Sequence, residues 1–306
     1  MRNAFADEAT QLGDADPRIV LLSGDIGNQL FDRFKSKKDG RFFNCGIAEA
    51  NMMGVAAGMA LSGLRPIIYT IAPFTTSRCY EQIRDDVCCH NLPVIIVGTG
   101  SGLSYAELGP THHSCEDLAI MRVLPNMTVL APADEVELRQ CLRAALKLSE
   151  PAYIRIGKKD EEIIQKKDEN FEIGRSITVR EGSDTCLIGT GTILPVVLGA
   201  ADALAVQGVA ARVESFHTIK PLDEKTLADV FSRYPVVAVI EEHSRIGGLG
   251  GSIAEWLTKQ DRMNGRLISF GTDDSFMHKI GTQDYARARY GLTSENIACQ
   301  VMAIIA

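Results

Sequence analysis

Short apolar runs alternate with helix-compatible stretches from residue 18 almost to the end of this chain, and that alternation constrains the fold more than any other feature. Runs of four to seven apolar residues bounded by glycine or polar groups fit strands buried on both faces. Such strands separated by helices build parallel sheets with helices on both faces. Strands are predicted at 18–23, 66–71, 93–97, 127–130 and 152–156, and helices at 48–62, 77–90, 115–123 and 134–148. Residues 158–170 are then nearly all charged or polar, which predicts a solvated connector. Beyond it, strands at 185–189, 211–215, 236–241 and 266–270 alternate with helices at 194–207, 224–234 and 252–260. The expected fold class is α/β: two consecutive parallel-sheet domains with helices on both faces, at 1–157 and 175–306, joined by a linker at 158–174.

Composition narrows the function. With 306 residues, 45% of them hydrophobic, the chain has material for about two cores. No apolar run reaches membrane-spanning length. A net charge of −7 and the lack of any Lys/Arg block with interleaved aromatics argue against a nucleic-acid surface. The eight cysteines show no C-x-x-C spacing, and the opening MRNAFADEAT has no secretory apolar core. Reduced thiols in a cytoplasm are expected.

Several segments carry chemistry. GIAEANMMGVAAGMALSG, at 46–63, is small or apolar almost throughout, which predicts a helix buried around most of its circumference. Glu49 sits in its first turn, and positions three and four away offer no Lys or Arg. On the helix alone, a carboxylate complementing the positive helix N-terminus is the simpler reading. The alternative is a desolvated carboxyl able to share a proton with a ligand nitrogen. GTGSGLSYAELGPTHH, at 98–113, forms an irregular loop at the carboxyl end of a strand, where open α/β sheets place ligands. His112 and His113 close it, and without a spaced third ligand they make no zinc site, so no metal is assigned to this chain. GDIGN, at 24–28, reads as a strand-end turn. RIGGLGGS, at 245–252, lacks G-x-G-x-x-G spacing and reads as tight strand-to-helix packing or a subunit contact.

Taken in order, GIAEANMMGVAAGMA, APFTTSRCY, GPTHH and EEHSRIGGLGGSIAE resemble successive motifs of the C-terminal half of transketolases, over essentially the whole chain. The resemblance implies a pyrimidine-binding domain followed by a transketolase C-terminal domain, with thiamine diphosphate and Mg²⁺ as cofactors. The diphosphate-binding motif, GDG followed later by Asn, occurs nowhere here. What is implied is a split enzyme whose partner subunit carries GDG…N and holds diphosphate and metal, in a heterotetramer of two copies of each half. This chain alone would be inert.

The resemblance also implies roles. Glu49 would bond the pyrimidine ring and promote its reactive tautomer, so this reading displaces the helix-terminus one. Phe74 and Tyr80 would stack on or flank the pyrimidine, with Ser77 where the family often has another aromatic. His112 would hydrogen-bond a donor oxygen, His113 replaces the usual glutamine, and Lys158 falls near a phosphate-gripping arginine of the family. Leu108 and Gly100 stand where the family has an aspartate and a second histidine. The expected activity is therefore ketol or acyl transfer between a ketose donor and an aldehyde acceptor, on a modified or deoxy sugar. The alternatives are the β subunit of a 2-oxo acid dehydrogenase or a non-catalytic assembly or regulatory subunit; deoxyxylulose-phosphate synthase is a close relative, but its single chain carries both halves.

Overall fold

The computed structural model describes residues 1–27, 29–37, 40–159, 161–165 and 171–305. Strands β1 (Ile19–Ser23), β2 (Phe42–Asn44), β3 (Arg65–Ile71), β4 (Ile95–Thr99), β5 (Thr128–Leu130) and β6 (Ala152–Ile156) occupy the first half. The second half holds β7 (Ile177–Arg180), β8 (Thr185–Thr190), β9 (Ala211–Ser215), β10 (Thr218–Lys220), β11 (Val236–Ser244) and β12 (Arg266–Thr272). A seven-stranded sheet runs β10-β5-β6-β4-β3-β1-β2, and a five-stranded one runs β12-β11-β8-β9-β7. β1, β4 and β6 are buried at every residue, which is why their sequences show no alternation of apolar and polar positions.

The α/β class holds, with two departures from all-parallel sheets. β10 pairs antiparallel with β5, and β7 pairs antiparallel with β9. Both are short edge strands whose pairing is set by where the chain enters and leaves a sheet, so neither has a hydropathy signature. β10 also follows the connector in sequence yet completes the first sheet. One apolar cluster is shared as well: Met52, Ile68 and Tyr153 belong to it together with Phe216, Phe231 and Trp256.

Other elements escaped the sequence reading. The Arg2–Ala15 helix buries Ala4, Ala6 and Ala9 beside Phe5, a face too weakly hydrophobic to stand out. It is held to the Glu135–Ala145 helix by buried Glu8, which accepts from Arg139 at 3.1 Å and Arg143 at 2.6 Å. The helix predicted at 77–90 is broken into 3₁₀ (Ser77–Cys79), α (Tyr80–Gln82) and π (Ile83–Cys89) pieces. Two C-terminal helices, Gln283–Arg289 and Ser294–Ile305, complete the chain.

The connector is not wholly solvated. Residues 160 and 166–170 lie outside the described part, but Gln165 is buried. The backbone N–H groups of Ile164 and Gln165 donate to Asp134 at 2.8 and 2.7 Å. The Gln165 amide donates to Glu137 at 2.9 Å, and Ser215 donates to the same carboxylate at 2.6 Å. Glu137 thus ties both halves and the connector together, and burial pushes its pKa up to about 7.

Candidate active site

Adjacent parallel strands deliver the candidate residues to one edge of the first sheet. β3, β4 and β6 are neighbours, and the segments leaving their carboxyl ends carry Phe74, His112 and Lys158. The segment following β2 enters the Glu49–Leu61 helix. The carboxyl edge of an open sheet is where strand-to-helix turns diverge and leave a crevice.

A line of contacts runs along this edge. Glu49 is only 7% exposed and accepts a hydrogen bond from Arg78 Nη1 at 3.2 Å. The Arg78 guanidinium lies over the Phe74 ring, 3.5 Å from its centroid. Phe74 meets His112 edge-to-face at 5.1 Å, and His112 meets Tyr105 at 6.2 Å. Lys158 Nζ stands 4.8 Å from the Tyr105 ring centroid and is ion-paired with Glu107. Four of the predicted residues, Glu49, Phe74, His112 and Lys158, are thereby brought into one cluster.

The expectation of an unpaired Glu49 is corrected by Arg78. Its partner comes from the Phe74–Tyr80 segment rather than from its own helix, so no i,i+3 or i,i+4 count could reveal it. Nor is the Glu49 helix buried all round. Val55 and Leu61 are exposed on it and Ile47, just before it, is 81% exposed, so apolar residues face outward from it. Lys158, expected near the position of a phosphate-gripping arginine, is paired with Glu107.

Two predicted residues are not in the cluster. The Tyr80 hydroxyl donates to the Ile120 carbonyl at 2.8 Å, and its ring packs on the shared core. His113 is buried and lines a separate cavity of about 170 Å³ with Cys115, Met277 and Tyr290. Its Nε2 has no hydrogen-bond partner among the described residues, and burial holds its pKa below the usual imidazole value. The His112 pKa is also lowered, first by burial and then by the Arg78 charge, which favours a neutral ring. Thr111 Oγ1 engages its Nδ1 at 3.0 Å.

Arg78, Tyr105 and Glu107 were missed by the sequence reading. The glycine at 100 was the available signal for Tyr105. It has φ +81°, and a Cβ there would lie 2.0 Å from Tyr105 Cε2. The ring fills the space that a larger residue at position 100 would need. Behind the loop, buried Glu242 accepts from Leu103 N at 3.0 Å and from Gln283, and pairs with Arg287, so the second half braces the site from below. Its neighbour Glu241 accepts from Leu249 N and Gly250 N at 2.7 and 2.9 Å. A Cβ on Gly248 would sit 2.2 Å from that carboxylate, so RIGGLGGS is tight strand-to-helix packing. In GDIGN, Gly24 N and Asp25 N donate to the Tyr69 and Gly46 carbonyls of neighbouring segments and Ile26 N turns back on the Gly24 carbonyl at 2.7 Å, a strand-end turn, while Asn28 lies outside the described residues.

A buried carboxylate at a helix start lies near an aromatic ring, on the carboxyl edge of a parallel sheet backed by a second α/β unit. Comparison with known proteins gives the family. The family models "Transketolase, pyrimidine binding domain" and "Transketolase, C-terminal domain" match residues 1–161 and 174–297. The chain is 36% identical to a putative transketolase C-terminal section of Methanocaldococcus jannaschii, covering 99% of this chain and 95% of that one. It is 35% identical to a 6-deoxy-6-sulfo-D-fructose transketolase subunit of Clostridium sp. (strain MSTE9), covering 97% and 92%. A solved structure described as a split-gene transketolase, inactive β4 tetramer, superposes with a TM-score of 0.88 at 34% identity, covering 99% and 97%. The chain belongs to the transketolase family and is a transketolase-like transferase subunit.

Proposed function

We propose that this chain is the pyrimidine-side subunit of a split, thiamine-diphosphate-dependent transketolase, with Glu49, Phe74 and His112 as its working residues. The observation that carries the reading is the Arg78 guanidinium, a flat cation held between the Phe74 face and the buried Glu49 carboxylate. A protonatable aminopyrimidine is also flat, stacks on an aromatic face and shares a proton with a carboxylate, so these residues fit the cofactor ring. When bound, thiamine diphosphate supplies the carbon nucleophile that takes up and hands on a ketol unit. Glu49 holds a proton at the ring nitrogen, while Phe74 fixes the plane of the ring. Arg78 yields its place to the pyrimidine. His112, its Nδ1 engaged by Thr111, offers Nε2 to a substrate oxygen as charge develops there. Tyr80 contributes indirectly, by anchoring the segment that carries Phe74 and Arg78 to the Ile120 carbonyl.

Mg²⁺ and the diphosphate fall to a partner. Among the described residues no group of three or more His, Cys, Asp or Glu side chains is arranged to hold a metal ion. The partner is an N-terminal-half subunit carrying GDG…N, and the outward apolar residues Phe43, Ile47, Val55 and Leu61 are the surface it covers. Two copies of each half would form the active heterotetramer. The inactive β4 assembly of the related split-gene protein supports the view that this half does not act alone. All eight cysteines are free, which fits a reducing cytoplasm, and no helix among the described residues is long and apolar enough to cross a membrane.

The substrate is a modified or deoxy sugar. Leu108, 48% exposed, cannot accept the hydroxyl bond that an aspartate would. The Clostridium relative is named for a deoxy-sulfo sugar. Reconstitution with the GDG…N subunit tests the reading: thiamine- and Mg²⁺-dependent ketol transfer is expected. Glu49→Gln should lower turnover by about 10²-fold or more, the range of a lost general acid–base group. Unchanged C2 proton exchange in that variant would overturn the role of Glu49, and full pentose-phosphate turnover would overturn the substrate.

A further inference from the structure

The loop that carries His112 leaves the first sheet after β4 and is closed at its neck, where Ser114 N donates to the Gly102 carbonyl at 2.9 Å. Within the neck, three successive backbone bonds run from Leu103 to His112. Ala106 N donates to the Leu103 carbonyl at 2.9 Å, Gly109 N to Ala106 at 3.4 Å, and His112 N to Gly109 at 3.0 Å. Leu103 and His112 are thus the two ends of one hydrogen-bonded chain, and a shift at the first is passed to the second.

What fixes Leu103 belongs to the second half. Its N–H donates at 3.0 Å to the carboxylate of Glu242, a residue of β11 that is 3% exposed. Gln283, at 2.9 Å, and Arg287 hold the same carboxylate from one face of the Gln283–Arg289 helix. The other side of the neck is tied to the same residue, because Arg155 donates to the carbonyls of both Ser114 and Glu242. Leu103 and Ala106 also pack with Met277 and Ala286 in a small apolar cluster. At Gly102, whose φ is +55°, a Cβ would lie 2.5 Å from the Glu242 Cβ, so the base of the loop sits directly on this side chain.

We propose that Glu242 is a positioning residue: through Leu103 it sets where His112 stands in the cleft, so that the second half governs the substrate step without touching the substrate. The proposal rests on the role given to His112 above. Glu49 and Phe74 enter the site on other segments, so cofactor binding is left alone when His112 moves. A small displacement of a positioned group is enough to slow the chemistry it serves.

The test uses Glu242→Asp, which keeps the charge facing Arg287 but withdraws the carboxylate from Leu103 N. In the complex reconstituted with the GDG…N subunit, ketol transfer from hydroxypyruvate to glycolaldehyde is expected to lose about tenfold in kcat. The Kd for thiamine diphosphate, by titration calorimetry, should stay within about twofold of wild type. In a His112→Ala background the same substitution should cost less than about twofold, because the two changes act on one interaction. In the isolated chain, amide exchange over residues 103–112 should quicken while that of β4 and β6 is unchanged. Undiminished kcat, unchanged exchange in the loop, cofactor affinity that falls in step with kcat, or a loss that persists in full in His112→Ala overturns the proposal. Should Glu242→Asp fail to fold, Gln283→Ala decides, since it removes one donor and leaves Arg287 in place: a loss of about threefold is expected, again absent from His112→Ala. No loss, or one independent of His112, overturns the proposal. A His112→Ala complex as fast as wild type defeats the role of His112 first, and the proposal falls with it.

Discussion

Glu49 shows how one side chain changes meaning between sequence and structure. Its own helix offers no cation, yet Arg78 reaches it from the segment after β3. The Arg78 side chain is half exposed, so the pair contributes at most about 1 kcal/mol, and the stack on Phe74 a similar amount. Arg78→Ala is accordingly expected to lower unfolding free energy by no more than about 2 kcal/mol. If the pyrimidine takes the place of Arg78, the same variant should bind thiamine diphosphate at least as tightly as wild type in the reconstituted complex, by titration calorimetry. Affinity weakened tenfold or more would make Arg78 a cofactor ligand instead. Gly100 is the second telling residue. Gly100→Ala must adopt φ +81° and intrude on Tyr105, and a loss of about 2 kcal/mol or more is expected in denaturant unfolding. Tyr105→Ala in the same chain should recover only part of it, because the backbone strain stays.

At the scale of elements, the buried carboxylate of the Glu135–Ala145 helix governs how the connector is held. Burial raises the Glu137 pKa from 4.5 to about 7. Its contribution to stability is therefore complete below about 4.5 and is lost as pH rises through 7. His217, just before β10, has the opposite sense. Burial lowers its pKa from 6.5 to about 4, so its contribution is present above 6.5 and is lost as pH falls toward 4. Thermal unfolding followed from pH 4 to 8 should show Glu137→Gln flattening the fall in stability between about pH 4.5 and 7. A slope across that window identical to wild type would remove Glu137 from this role. The broken 77–89 segment belongs to the same scale: residue types compatible with one continuous helix form three pieces, with Tyr80 in the middle one donating to the Ile120 carbonyl.

For the whole molecule, the two sheets are joined more deeply than a charged connector suggests. β10 closes the first sheet, and Phe216, Phe231 and Trp256 share a core with Met52 and Ile68. Arg155 on β6 donates to the carbonyls of Ser114 and Glu242 at 2.8 and 2.6 Å, clamping the second half beneath the site loop. The full chain should therefore unfold in one cooperative transition. A fragment of residues 1–157 should show no sharp transition of its own, because the β5 edge and an apolar face are left open. A fragment with a sharp independent melting curve would contradict this.

Local pattern and side-chain chemistry were sufficient for the α/β class, for most core strands and several of the helices between them, and for the family, because uninterrupted apolar runs and ordered motifs are properties of neighbouring residues. The family resemblance singled out Glu49, Phe74, His112 and Lys158, and the first sheet brought them into one cluster. Tertiary structure alone decided that Glu49 meets Arg78, that Tyr105 fills the space over Gly100, that Glu107 takes Lys158, and that β10 crosses to the first sheet. Each of those joins segments distant in the chain through space, and no periodicity along a single chain encodes which distant segment will arrive.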